Sequence, residues 1–128
     1  MKDFVIEGLF YTEEHEWVEV DGEFCYVGIC EYAQRELGEI VYVELPELED
    51  TFQRGDAYAV LESVNEAVDL DSPVSGRIVD VNESLEANPG LLNDSPYDNW
   101  IAKIKLTEDV EDLMDDEEYK DYLNTLLD

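Results

Sequence analysis

Short runs of β-branched and aromatic residues, each closed by turn-forming residues, fill the first hundred positions of this chain and point to a mainly β fold. Trp17-Val18-Glu19-Val20, then Asp21-Gly22, then Phe24–Ile29 reads as a hairpin, because both positions of an Asp-Gly pair tolerate positive φ. Glu31–Leu37 carries helix formers and Gly38 is a stop signal, so a short helix is predicted before strand character resumes over 40–45, ahead of Pro46. Further strands are predicted over 57–64, 67–70, 76–81 and 100–106. Residues 38–43 and 76–81 share the pattern G-x-I-V-x-V, 38 positions apart, which reads either as chance or as a sheet built from two similar halves. After residue 106 the composition changes, and ten of the 21 residues from 108 to 128 are acidic. There Tyr119, Tyr122, Leu123, Leu126 and Leu127 fall at helical spacing behind an Asp115/Glu118 capping pair, which predicts an amphipathic helix packed on the sheet.

At 128 residues, 45 % of them apolar, the chain is expected to form one domain over 1–128, with a β core over about 10–106 and the acidic helix over about 108–128. A chain of this size buries roughly two-thirds of its unfolded surface, so no disulfide or metal staple is needed. Against 35 Asp and Glu stand only 7 Lys and Arg, for a formal charge of −28. Nucleic-acid binding needs clustered cations to displace phosphate counterions, and anionic membranes need the same, so neither is expected as a partner. A basic protein or a cationic substrate remains compatible. With 11 % aromatics the acidity reads as a charged skin on a folded body, one that repels itself and should gain stability from salt. Neither a basic-then-apolar opening nor a run of about 18 apolar residues occurs, so the expected home is the cytoplasm, or an organelle matrix such as the mitochondrial matrix if the source is eukaryotic.

The chemistry-bearing residues are sparse. His15 is the single histidine, which excludes a His-pair metal motif, and no G-x-S-x-G elbow, P-loop or dinucleotide fingerprint is present. Asp69-Leu70-Asp71 lacks the glycine and spacing of a calcium loop, so neither a metal site nor a catalytic residue is expected. Cys25 and Cys30 would face opposite sides of a continuous strand, against a disulfide between them. Cys30 stands just before the helix at Glu31, where it is either a small buried residue or a thiol activated by the helix N-terminus.

These segments together resemble the H protein of the glycine cleavage system. Tyr11-Thr12-Glu13-Glu14-His15-Glu16-Trp17-Val18 looks like that family's opening motif, and Val27-Gly28-Ile29, Tyr32-Ala33-Gln34 and Leu37-Gly38 its strand-to-helix passage. Val41-Tyr42-Val43-Glu44-Leu45-Pro46, Pro73-Val74-Ser75-Gly76 and Val81-Asn82 are similar in turn. Asn88-Pro89-Gly90-Leu91-Leu92-Asn93, Ser95-Pro96-Tyr97, Trp100 and Ile104-Lys105 resemble its last third. The resemblance implies a flattened hybrid barrel-sandwich of two antiparallel sheets, similar to lipoyl and biotinyl domains, with a short internal helix and a C-terminal helix. It implies a carrier and not an enzyme: a lipoyl arm, amide-linked to a hairpin lysine, takes an aminomethyl group from glycine decarboxylase. The arm then visits an aminomethyltransferase and is reoxidised by dihydrolipoyl dehydrogenase, after a lipoyl ligase has attached it.

The sequence departs from the family at the attachment point. The family reads Glu-Ser-Val-Lys-Ala, whereas this chain reads Glu62-Ser63-Val64-Asn65-Glu66-Ala67, with Asn65 at the lysine position. A carboxamide is not a nucleophilic amine, so lipoate is expected to be absent, while asparagine should keep the hairpin. The four lysines are Lys2, Lys103, Lys105 and Lys120, none near the tip in sequence. Glu66 adds a charge that either disfavours an approaching ligase or is merely solvated. Glu16 and Asp69 match the family positions that line the cleft where the loaded arm docks, unless both are ordinary surface acids. The loop from Tyr97 to Trp100 is one residue shorter than the family's and lacks its glycine, which bears on the cleft's shape. Three readings follow: a non-carrier binding or regulatory H-protein homologue; an ordinary H protein whose lysine has been substituted; or an H-like protein recruited to another lipoate-dependent or redox system, with Cys30 carrying chemistry.

Overall fold

The computed structural model describes residues 5–126. Its elements in chain order are β1 (Phe10–Tyr11), β2 (Glu16–Asp21), β3 (Phe24–Ile29), α1 (Glu31–Leu37), β4 (Ile40–Glu44), β5 (Thr51–Phe52), β6 (Ala57–Ser63), β7 (Ala67–Asp71), β8 (Gly76–Val81), α2 (Ser84–Ala87), α3 (Leu91–Asp94), β9 (Ala102–Leu106) and α4 (Asp116–Leu126). They build two antiparallel sheets, one ordered β1-β2-β3-β9-β8-β5 and the other β4-β6-β7. A shared apolar cluster joins them, with Val18, Val27, Ile78 and Ile104 from the larger sheet against Ile40, Val43, Leu61 and Leu70 from the smaller.

The first hairpin forms as predicted, with its turn one residue further on. Asp21 pairs with Phe24, so the two loop residues are Gly22 and Glu23, and only Gly22 takes positive φ, at 63°. A glycine at the first loop position and an ordinary residue at the second is the arrangement that matches the twist of a two-residue hairpin. Further along the same pair Trp17 lies opposite Gly28, and a Cβ on Gly28 would sit 2.6 Å from the Trp17 indole. The missing side chain lets the indole lie flat on β3 and send its Nε1–H to the Pro96 carbonyl at 3.1 Å.

The terminal helix is shorter than the predicted 108–128. It begins at Asp116, because the Glu118 carboxylate accepts from the Asp115 N–H while the Asp115 carboxylate accepts from the Glu118 N–H, both at 2.9 Å. Before it, Met114 bridges to Tyr11 instead of winding into helix. Tyr119 and Leu123 form the buried face, and Tyr119 stacks on Tyr11 at 4.4 Å in a second apolar cluster with Trp17 and Cys30. Leu126, predicted in the apolar stripe, is exposed, and Leu127 lies outside the described residues. The G-x-I-V-x-V echo falls on β4 and β8, in different sheets, so it does not mark one sheet of two halves. Its glycines also differ, since Gly38 takes φ 81° to end α1 whereas Gly76 is packed under Ile104.

Ion pairs such as Arg54–Asp112 and Arg77–Glu49 lie on the surface, where each contributes at most about 1 kcal/mol. Such pairs do little against a net charge of −28. The melting temperature should therefore rise between low and molar salt, and a flat or falling curve would contradict the reading of unrelieved self-repulsion. Gly28→Ala should cost about 1–3 kcal/mol by overpacking against Trp17, seen as a lower urea midpoint; an unchanged midpoint would show that the indole can move aside.

Candidate functional site

The β6–β7 hairpin carries Glu62, Ser63 and Asn65 together. Glu62 pairs with Ala67, leaving a four-residue tip of Ser63, Val64, Asn65 and Glu66. The Ser63 hydroxyl closes it by accepting the N–H groups of Asn65 and Glu66 at 3.1 and 3.2 Å, while the Ser63 N–H donates to the Glu66 carbonyl at 2.8 Å. Asn65 is not among the residues of positive φ, so the left-handed tolerance of asparagine is not what suits it here. Its side chain turns towards α1 and donates Nδ2–H to the Leu37 carbonyl at 3.3 Å, while the Val64 N–H donates to the Glu39 carbonyl at 2.9 Å. The tip is thereby fastened to the C-terminal end of α1, whose last carbonyls have no partner within the helix. Glu62 is exposed on the strand, in keeping with its charge.

Beside the tip a cleft of about 220 Å³ opens between α1, β7 and the 14–16 segment. Ile29, Tyr32, Leu37 and Val68 form its apolar walls, and four acids, Glu14, Glu16, Glu36 and Asp69, line it as well. The two acids singled out in the sequence thus come together, but they differ in kind. Asp69 is exposed, whereas Glu16 is 1 % exposed and its Oε1 has no hydrogen-bond partner among the described residues. Burial, and then the negative charges of Glu14 and Asp71, push the Glu16 carboxyl well above the usual carboxylate range. Glu16 is therefore not an ordinary surface acid. Glu14 and Asp71 hydrogen-bond to each other, and desolvation first and Asp71 second raise Glu14 as well.

Sequence reasoning missed the Glu14–Asp71 contact. It left a signal for Glu16, which shares the buried face of β2 with Val18 two residues on. His15 also lines the cleft: its Nδ1 lies 2.8 Å from the Tyr119 hydroxyl and its ring packs on Tyr32. Residues 97–100 are not among those lining this cleft. They are held by Asn99 Nδ2–H donating to the Ser95 carbonyl and by Trp100 packing edge-on to Tyr26. Cys30 does occupy the N-cap of α1, but it is fully buried and burial pushes its thiol up to about 12. That is opposite to helix activation and leaves no reactive thiol there. Cys25 on β3 and Cys30, which lies one residue beyond that strand, are buried in different apolar clusters. No group of three or more His, Cys, Asp or Glu suited to a metal occurs among the described residues, and no described helix is long and apolar enough to cross a membrane.

A lipoyl group can be tested against these residues. Asn65 at the hairpin tip carries a carboxamide, and the described lysines lie elsewhere, Lys103 and Lys105 on β9 and Lys120 on α4. The tip does not fit covalent lipoylation. The cleft makes a separate prediction. A carboxyl raised by folding binds its proton more tightly in the folded than in the unfolded state, so its contribution to stability is fully present below the unfolded value of about 4.3 and is lost as pH rises towards the folded value. Glu16→Gln, which stays neutral, should melt above the native protein at pH 8, with the gap closing near pH 4. Equal melting temperatures across that range would contradict a buried neutral Glu16.

Comparison with known proteins agrees with this architecture. The family described as "Glycine cleavage H-protein" matches residues 9–126. The glycine cleavage system H protein of Alkaliphilus oremlandii is 49 % identical over 119 residues, covering 91 % of this chain and 94 % of its own. That of Halothermothrix orenii is 50 % identical over 122 residues, covering 93 % and 95 %. A crystal structure of a glycine cleavage system H protein from Mycobacterium marinum superimposes with a TM-score of 0.87 at 31 % identity, covering 94 % of this chain and 99 % of that one. The two sheets are thus those of a lipoyl-like barrel-sandwich, and H proteins are lipoyl carriers, not enzymes, that work with glycine decarboxylase, aminomethyltransferase and lipoamide dehydrogenase. With the fold, the order of motifs and the relatives in agreement over nearly its whole length, this chain belongs to the glycine cleavage H-protein family.

Proposed function

We propose that this chain is a non-carrier member of its family: it is not lipoylated, and it acts by binding within the glycine cleavage group, as a regulator or competitor of the carrier. The observation that supports this is Asn65 at the hairpin tip, a side chain that cannot form the lipoyl amide and that instead donates to the Leu37 carbonyl at 3.3 Å. The rest of the tip is kept, with Glu62 and Ser63 in place and Ser63 holding the turn. Glu16 and Asp69 match the family positions that receive the loaded arm, and they line a cleft that this chain has no arm to fill. Glycine decarboxylase, aminomethyltransferase, dihydrolipoyl dehydrogenase and the lipoyl ligase are the partners this reading assigns. Their compartment, the cytoplasm or in a eukaryote the mitochondrial matrix, is the location it assigns. The redox reading loses its support with the buried Cys30 thiol.

The test is the intact mass of the protein and of Asn65→Lys after incubation with lipoate and a lipoyl ligase. The proposal expects the variant alone to gain a lipoyl group, because the fold and ligase surface persist and only the amine is missing. A lipoyl adduct on the unaltered chain would overturn it. If neither protein is modified, the tip surface has diverged as well and recruitment to another system replaces this reading.

A further inference from the structure

Cations are scarce in this chain, 7 Lys and Arg against 35 Asp and Glu, yet Arg77, Lys103 and Lys105 stand together on the larger sheet. Phe24 and Tyr26 alternate along β3 with the buried Cys25, and Lys103 and Lys105 alternate along β9 with the buried Ala102 and Ile104. These four half-buried side chains therefore share the face turned away from the core. The register sets Tyr26 opposite Lys103, Phe24 opposite Lys105, and Lys105 in turn opposite Arg77 on β8. Like charges directly opposite each other on neighbouring strands repel and destabilise a sheet. An anion seated between Lys105 and Arg77 would turn that repulsion into attraction.

The positive charge of this patch is also left open. Neither Lys103 nor Lys105 forms an ion pair among the described residues, and Arg77 is paired only with Glu49, at 2.8 Å. Asp80 lies opposite Lys103, but its carboxylate accepts from the Val81 N–H at 2.9 Å. The Lys103 ammonium sits over the Phe24 and Tyr26 rings instead, 4.8 and 5.4 Å from their centres, which holds the cation in place without cancelling its charge. Trp100 packs edge-on to Tyr26 at 5.3 Å and braces that ring.

Aromatic rings at alternate positions of one strand, with ammonium groups on the next, make a platform on which a flat ring stacks while its phosphate meets the cations. The surrounding acids limit how large that ligand can be. Glu19 and Asp21 lie opposite the two rings on β2, and Asp80 and Glu49 lie on the far side of the lysines. A nucleic-acid strand would carry its next phosphates over these acids, within the Debye length of about 8 Å at physiological salt, and against a net charge of −28. A single phosphate stays over the cations. We propose that the outer face of β3, β9 and β8 binds a phosphomonoester carrying a flat ring, the chemistry of a mononucleotide, with Lys103, Lys105 and Arg77 on the phosphate and Phe24 against the ring. None of these residues lines the cleft or belongs to the hairpin tip, and the site does not depend on the non-carrier reading.

The test is titration of the full chain with adenosine monophosphate, inorganic phosphate and adenosine, followed by the amide NMR signals. Adenosine monophosphate should shift the signals of Phe24, Tyr26, Arg77, Lys103 and Lys105, and should bind about tenfold or more tightly than either fragment alone. Lys103→Gln and Lys105→Gln should each weaken it by about tenfold or more, with the rest of the spectrum unchanged to show that the fold persists. Phe24→Leu, which keeps apolar bulk but removes the flat ring, should bring adenosine monophosphate down to the affinity of phosphate. Arg54→Gln, which removes an exposed cation elsewhere, should change nothing. No binding of adenosine monophosphate to the native chain, or unaltered binding to Lys105→Gln, would refute the site. Equal affinities for adenosine monophosphate and phosphate would leave a simple anion site and overturn the claim for the ring. A thymidine oligonucleotide that outcompetes adenosine monophosphate at physiological salt would assign the face to a nucleic-acid strand and overturn the inference. Each of these failures leaves the lipoylation test on Asn65→Lys untouched.

Discussion

The functional end of this molecule depends on the C-terminus of α1. A seven-residue helix is too short to persist alone, and its last carbonyls need donors from elsewhere. Two asparagines supply them. Asn65 from the hairpin tip donates to the Leu37 carbonyl, and Asn93 on α3 donates to the Gly38 carbonyl at 2.8 Å while its own Oδ1 accepts from the Ile40 N–H at 2.9 Å. Hairpin, helix, α3 and β4 are thus referenced to one point, and the left-handed Gly38 lets the chain leave it sharply. At the hairpin tip, Asn65 is a donor that reaches this junction.

The cleft alongside obeys a different constraint, the cost of burying charge. Glu16 is fully buried near Glu14 and Asp71, whose negative charges add to the burial that raises its carboxyl. Burial disfavours the ionised form of such a carboxyl, and negative neighbours disfavour it further. The result is a cleft lined by apolar side chains together with a buried carboxyl, Glu16, and an exposed one, Asp69.

Much of this was legible in the sequence because turn chemistry is local. Asp21-Gly22, Gly38 and the Asp115/Glu118 pair each marked a boundary to within a residue, and the strand runs between them paired as expected. The elements that escaped, β1, β5, α2 and α3, span two to four residues, too few to show any periodicity. Asn65 was identifiable as a departure, but its role at α1 was not, since Leu37 lies 28 residues away and only the folded sheet brings them together. Cys30 shows the reverse failure: its place before a helix was read correctly, while the burial that raises its thiol comes from distant segments that include Tyr11, Tyr119 and Leu123.

The central claim is that this family member lives without the group its relatives carry. The most direct measurement is the intact mass and peptide map of the protein isolated from its own cells under conditions of active glycine cleavage. A mass equal to the unmodified chain, with asparagine confirmed at position 65, is the predicted result. A lipoyl adduct, or a lysine at that position, would contradict the account and return the protein to the ordinary carriers.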